Sequence, residues 1–178
     1  MIKAIVAVDK NWGIGKNNGL LFNLQADMQQ FRTKTMNKIV VCGENTLRSF
    51  PKQKPLKGRS TIVLCPEGHE YADCICVHDF EQLVKMVKVL SITNTVWVIG
   101  GGMMYKSMLP YCDEVFVTKV EAADKDATVF FPNLDESPDF IITSMTEKDD
   151  ILEENGTKFS FVTYSRLQPE REMVIHDD

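Results

Sequence analysis

The sequence predicts an α/β fold: a single-domain, mainly parallel eight-stranded sheet with antiparallel C-terminal strands and about four flanking helices. Three observations carry this. The apolar runs are short and rich in β-branched residues, as single strands are. Helical patterns separate the strands up to about residue 110, and beyond it strands follow one another directly. A length of 178 residues suits one domain with its own core.

Ile2–Val8 reads as the first strand, followed by a glycine-bearing loop. Asn23 is placed to cap a helix running to about Lys34. Strands are predicted at Lys38–Cys42, Ser60–Cys65 and Cys74–Val77, with a short helix beginning after Gly43. The stretch Asp79–Leu90 repeats apolar residues at Phe80, Leu83, Val84, Val87 and Leu90, which is the spacing of one helix face. Thr95–Ile99 is a strand, and a second short helix begins after Gly102. Glu114–Glu121, Phe140–Thr146 and Phe159–Ser165 complete the sheet. Glu154-Asn155-Gly156 marks a hairpin turn, because Asn-Gly tolerates positive φ at both central positions. The domain is expected to span residues 1–167; the tail 168–178 has no periodicity and is expected to fray.

A net charge of −5, without a basic stripe carrying interleaved aromatics, argues against a nucleic-acid partner. No apolar stretch is long enough to span a bilayer, and MIKAIVAVDK reads as a strand rather than a signal peptide. The five cysteines, Cys42, Cys65, Cys74, Cys76 and Cys112, are odd in number and sit mostly in apolar runs. They read as buried reduced thiols, which fits a cytoplasmic location. One residue between Cys74 and Cys76 is not the spacing of a redox CxxC pair or a zinc knuckle, so no metal is expected. A monomer is the default, since no long apolar surface stripe stands unexplained.

Asp27 carries the chemistry. Leu24, Asp27, Met28 and Phe31 fall at i, i+3, i+4 and i+7 and share one helical stripe. An acid on a core-facing stripe needs a polar partner. Spacing alone favours the commoner case, a half-exposed first-turn acid helped by the helix dipole. Arg59 by itself reads as a solvated turn arginine, Thr118 as an ordinary strand threonine, and Gly100-Gly101-Gly102 as a tight turn after a strand. The glycine run is not the GxGxxG of a dinucleotide-binding βαβ unit.

Taken in order, the residues say more. Ile5, Ala7, Gly13-Ile14-Gly15, Asn18, Leu20, Leu24, Asp27 and Phe31 form the first block. Gly43 with Thr46 and Ser49 forms the second, and Pro55-Leu56-Lys57-Gly58-Arg59 the third. Val98-Ile99-Gly100-Gly101-Gly102 follows, with Tyr105, Pro110 and Thr118. Over roughly residues 2–166 these blocks resemble the dihydrofolate reductase family in kind and order.

The resemblance implies a dihydrofolate reductase-like fold and the reduction of 7,8-dihydrofolate to 5,6,7,8-tetrahydrofolate by hydride transfer from a nicotinamide cofactor, NADPH. That reaction supports one-carbon metabolism and thymidylate and purine synthesis. Asp27 would accept hydrogen bonds from the N3 and 2-amino edge of the pterin and promote protonation at N5. Thr118 would bond Asp27 and the pterin amino group. Met28, Phe31, Phe50 and Leu56 would wall the aminobenzoyl group, Ile5 and Ile99 would line the substrate site, and Arg59 would pair with the glutamate-tail carboxylate. For the cofactor, Ala7, Ile14 and Leu20 would pack on the nicotinamide under a loop from Asp9 to Asn23. Gly43, Glu44, Asn45 and Thr46 would form one pyrophosphate-binding turn, and Gly100, Gly101 and Gly102, with a cis peptide between the first two, the other. Asn18, Leu64, Cys65, Ile99, Met103, Met104 and Tyr105 belong to the same implied surface.

Four departures stand out. Leu21-Phe22 replaces a Pro-Trp pair; Glu44 stands where Arg or Lys binds the 2′-phosphate; Cys65-Pro66 offers neither hydroxyl nor base there; and the loop 147–154 is unusually acidic, which reads as a solvated hairpin. The second and third predict a weaker preference for NADPH over NADH. Two rival readings are a reductase of the same fold acting on another pyrimidine or pteridine, as in riboflavin biosynthesis, and a non-catalytic pterin- or nucleotide-binding protein. Asp27, Phe31 and Arg59 favour folate over the first, and Asp27 with the intact glycine triplet favours catalysis over the second.

Overall fold

The structure, a computed structural model, describes residues 1–16, 19–20 and 22–168, with positions 19 and 20 described by backbone alone. Asn18, Leu21 and nearly all of the C-terminal tail lie outside the described residues, as does the side chain of Leu20. In chain order the elements are β1 (Ile2–Val8), β2 (Gly13–Lys16), β3 (Gly19–Leu20), α1 (Gln25–Thr35), β4 (Ile39–Gly43), α2 (Glu44–Ser49), β5 (Ser60–Leu64), β6 (Cys74–Val77), α3 (Phe80–Leu90), β7 (Val96–Gly100), α4 (Gly102–Met108), β8 (Glu114–Val120), β9 (Val129–Phe130), β10 (Phe140–Met145), β11 (Leu152–Glu154) and β12 (Thr157–Arg166).

The main sheet runs β10-β12-β8-β1-β7-β4-β5-β6, with β11 added to β12. The pairs from β8 to β6 are parallel, and β12 pairs antiparallel with β8, β10 and β11. The eight predicted strands are all present, each within two residues of its predicted ends. Four short strands had no readable pattern. Three of them, β3-β2-β9, form a small separate sheet. Its Gly-Ile-Gly-Lys strand has too little β-branched surface to announce itself.

Both faces of the sheet are covered, and the strands alternate between them. Val41, Ile62, Val96 and Val98 join the core under α3 and α4, whereas Val40, Cys42, Val63, Trp97 and Ile99 join a second cluster with Leu47 of α2 and Phe31 of α1. Central β7 is buried throughout, as expected of a strand covered on both faces. Helix α3 begins where Asp79 accepts a hydrogen bond from the Gln82 N–H at 2.9 Å, and it buries Leu83, Val84 and Val87. The cysteines are all free thiols; Cys42, Cys65 and Cys112 are buried, while Cys74 and Cys76 are partly so.

Two local expectations need correction. Helix α1 begins at Gln25 with Leu24, not Asn23, at the cap position, and Leu24 has no side chain to cap with. The predicted stripe is also narrower than its spacing implies. Leu24 is buried, Phe31 and Asp27 are partly buried, and Met28 is 55% exposed. The helix rests on the sheet along one edge, and Met28 falls just outside it.

Leu83 is fully buried at the centre of the α3 interface. Leu83→Ala is expected to lower stability by about 2–5 kcal/mol, read as a lower urea midpoint at unchanged slope. A loss below about 1 kcal/mol would mean that the α3 packing is looser than described.

Candidate active site

The predicted site residues converge at the carboxyl ends of the parallel strands. Ala7 lies near the end of β1, Gly43 ends β4, Leu64 ends β5, Gly100 ends β7 and Thr118 is in the second half of β8. In an open parallel sheet this edge is where loops of neighbouring strands diverge and leave room for a ligand.

Asp27 sits in the first turn of α1, and buried Thr118 donates its hydroxyl to Asp27 Oδ1 at 2.5 Å. The structure thus provides the polar partner that a partly buried acid requires. Burial raises the Asp27 pKa above 3.8; the Thr118 hydrogen bond pulls it down, and the charge of Glu154 pushes it further up. Desolvation dominates, so Asp27 holds its proton more firmly than an exposed aspartate.

Glu154 is a neighbour of Asp27 that the sequence did not reveal. Its two carboxylate oxygens accept from the Gln25 N–H at 2.7 Å and the Ala26 N–H at 2.8 Å. The cap missing at Leu24 is therefore supplied from the far end of the chain. The acidic loop is not simply a solvated hairpin: it contains β11, whose Leu152 packs with Leu24, Phe22 and Phe159. Phe22 keeps the apolar bulk expected of it. A helix opening on a residue that cannot cap was the available signal.

Of the implied walls of the substrate site, Ile5, Phe31, Phe50, Leu56 and Ile99 come together, whereas exposed Met28 does not join them. Ile5 and Ile99 are buried in the second cluster, with Phe31, Phe50 and Leu56 packed against it. Arg59 lies over the Phe31 ring at 5.8 Å. Its Nε donates to Thr35 Oγ1 at 3.1 Å and its Nη1 to the Lys57 carbonyl at 2.8 Å. The turn before it needs Gly58, whose φ is +79° and whose Cβ position would collide with Met36 Sδ. Arg59 is thus a braced arginine at the rim of the apolar cluster, not a free turn residue.

The two glycine turns also meet. The Gly100–Gly101 peptide is cis. A Cβ on Gly101 would stand 3.2 Å from Thr46 Oγ1, so the start of α2 abuts the start of α4. Neither helix start is capped by a side chain. Gly102 is required for another reason: a Cβ there would overlap Val129 of β9. Tyr105 is buried and donates its hydroxyl to the Ile5 carbonyl at 2.7 Å, tying α4 to β1 beneath the glycines. Met104 enters the core, Met103 is 79% exposed, and Ile14 is buried in the main core. Asn45 is exposed and Ala7 is partly buried. The approach to this region is shaped by buried Asp9, which accepts from the Asn11, Gly13 and Asp124 N–H groups at 2.8, 2.7 and 3.0 Å.

Glu44 is not an isolated charge. Its Oε1 accepts from Tyr71 Oη at 2.5 Å, His69 Nδ1 at 2.5 Å and Arg48 Nη2 at 3.2 Å. The Tyr71 and His69 hydrogen bonds, with Arg48 nearby, hold its pKa below 4.5. Leu64 is partly buried, and burial pushes the thiol of its neighbour Cys65 up to about 11, so that little thiolate forms near neutral pH.

A model of the family described as dihydrofolate reductase matches residues 1–166. The chain belongs to the dihydrofolate reductase family. It is 30% identical to the viral dihydrofolate reductase of Saimiriine herpesvirus 2 (strain 488), across 94% of this chain and 85% of that one. Against the dihydrofolate reductase of Haemophilus influenzae the identity is 35%, across 73% and 78% of the two chains. The solved structure of the Enterococcus faecalis enzyme complexed with NADP(H) and RAB-propyl superposes with a TM-score of 0.81 at 25% identity, across 94% of this chain and 97% of that one. Family membership makes the protein an oxidoreductase of folate-dependent one-carbon metabolism. No described helix is long and apolar enough to cross a membrane.

The raised Asp27 pKa has a consequence for stability. Between the unfolded and folded values the native state binds more protons than the unfolded state, so stability falls as pH rises through that window and stays reduced above it. Asp27→Asn removes the desolvated charge while leaving an oxygen for Thr118. The variant is expected to melt at a higher temperature than wild type at pH 7, with the difference closing below about pH 4. A lower melting temperature at pH 7 would contradict the assigned environment.

Proposed function

We propose that the protein reduces 7,8-dihydrofolate to 5,6,7,8-tetrahydrofolate with NADPH, and that Asp27 both orients the pterin and promotes protonation at N5. The observation that carries this is a partly buried carboxylate, raised in pKa, bonded to a strand threonine and set beside an apolar cluster with a braced arginine at its rim. One Asp27 oxygen is engaged by Thr118, which fixes the carboxylate plane and leaves its other lone pairs to a heterocycle with two adjacent N–H donors. Flat aromatic rings suit the walls of Phe31, Phe50 and Leu56. The Arg59 guanidinium, held by Thr35 and the Lys57 carbonyl, suits a carboxylate at the far end of the substrate.

The residues at the glycine turns fit a dinucleotide. Two helix starts without side-chain caps lie against each other at the Thr46 hydroxyl, and their backbone N–H groups would serve as donors to a pyrophosphate. Gly43, Asn45, Thr46 and Gly100 to Gly102 would hold that group. Ala7 and Ile14 would pack toward the nicotinamide, and Leu64 and Cys65 would lie toward the adenosine. When bound, the cofactor supplies hydride. The enzyme supplies orientation, exclusion of water and the proton.

At neutral pH, Asp27→Asn is expected to lose about 10²–10⁴-fold in turnover of dihydrofolate, followed by NADPH absorbance. Weak activity should return at low pH, where the substrate arrives already protonated. Wild-type rates in this variant would refute the role. The preference for NADPH over NADH is expected to be narrow, because Glu44 sets a carboxylate where a 2′-phosphate would lie, although Arg48 and His69 partly offset it. Glu44→Gln is expected to raise the NADPH-to-NADH ratio of kcat/KM by about tenfold. An unchanged ratio, or a strong NADPH preference already in the wild type, would overturn this.

A further inference from the structure

We infer that Glu154 is a positioning residue for the reaction: by occupying the start of α1, it keeps the helix terminus from stabilising ionised Asp27 and so holds the acid ready to be protonated. This rests on the proposed role of Asp27. The geometry stands apart from that role. The first helical hydrogen bond of α1 runs from the Met28 N–H to the Leu24 carbonyl at 3.0 Å, so the N–H groups before it need partners elsewhere. Two of them, on Gln25 and Ala26, go to the two oxygens of Glu154, 129 and 128 residues away in sequence. The hairpin bearing Glu154 is seated by Leu152 against buried Leu24, and β11 is paired with β12 in register from Leu152↔Phe159 to Glu154↔Thr157.

Asp27 is the third residue of this helix, the position at which an acid ordinarily gains from free N–H groups and the positive end of the dipole. That gain favours the carboxylate and lowers its affinity for a proton. Glu154 removes it in two ways: it takes the donors, and it adds a negative charge near Asp27 that acts in the direction of protonation. The other groups facing Asp27 carry no charge that does this work. The Thr118 hydroxyl from β8 favours the ionised form, and the Tyr105 phenol from α4 is neutral and bonded to the Ile5 carbonyl. Glu154 is therefore the charged side chain that adds to burial in setting Asp27 apart from an ordinary first-turn aspartate.

Single-turnover hydride transfer, recorded from about pH 5 to about pH 9, tests this in wild type, Glu154→Gln, Glu154→Asp and Asp27→Asn, with thermal unfolding run on each. In Glu154→Gln the pH at which the rate begins to fall should move down, giving a rate about threefold or more below wild type on the alkaline limb. Its melting temperature should fall by a few degrees through loss of the cap. Glu154→Asp keeps the charge and should keep most of the wild-type midpoint even if it melts early. A lower melting temperature with an unmoved midpoint in Glu154→Gln would make Glu154 a cap and nothing more. An upward shift, or equal shifts in the Gln and Asp variants, would also overturn the inference. If Asp27→Asn retains wild-type rates, it is the reading of Asp27 that fails, a result distinct from any of these.

Discussion

The structure depends on the cost of holding one carboxylate partly out of water. Asp27 is accepted at the edge of an apolar cluster because Thr118 reaches it from β8 and because α1 is fixed well enough to keep that contact. Neither condition is local. Thr118 lies near the carboxyl end of the β8–β1 parallel ladder, paired with Ala7, and α1 is braced at its start by Glu154 and at its end by the Arg59–Thr35 bond. The acid's proton affinity is thus set by how firmly the two ends of a helix are held against a sheet. A looser helix would admit water, and with water the desolvation that raises the pKa would fade.

The parallel sheet supplies that rigidity and also the place for a second ligand. Strands β4 and β7 are neighbours, so the turns that follow them open side by side at one edge. Thr46 on one and the glycines on the other then meet without any designed contact between distant loops. The short helices behind them are too brief to act as strong dipoles, and neither start is capped by a side chain. Tyr105 shows how closely the two sites are joined, because its hydroxyl ties the helix after the glycines to the carbonyl of Ile5, a wall of the neighbouring cluster.

Much of this was legible in the sequence, for a physical reason. Strand alternation, the apolar face of α3, the glycine triplet and the placing of Asp27 among apolar neighbours are all recorded within a few residues of chain. Thr118 and Arg59 were legible only through their spacing relative to the other blocks, since alone each is an ordinary strand or turn residue. What stayed hidden was whatever is made by distant segments. Glu154 looks like one more acid in a charged loop until the helix that it caps is seen beside it, and Asn23 looks like a better cap than a side chain more than a hundred residues away. Met28 satisfied the periodicity yet lies exposed, because a helix resting on a sheet by one edge buries less than its apolar arc. The small β3-β2-β9 sheet rests on Asp9 and on backbone pairing, which side-chain patterns do not record.

Two carboxylates, each in the first turn of a helix, show how environment divides one chemistry into two. Glu44 is surrounded by donors, from Tyr71, His69 and Arg48, and every one of them favours the ionised form. It is a fixed negative charge at any ordinary pH, and can act only by attraction or repulsion. Asp27 receives one hydroxyl donor, loses solvent and faces a second carboxylate, so its two protonation states are brought closer in energy. A group poised in that way gains or loses a proton more readily near neutral pH than one held ionised like Glu44. The contrast needs no difference in the side chains' intrinsic acidity. It needs donors assembled around Glu44 and, at Asp27, burial first of all, with Glu154 taking two of the N–H groups at the start of α1.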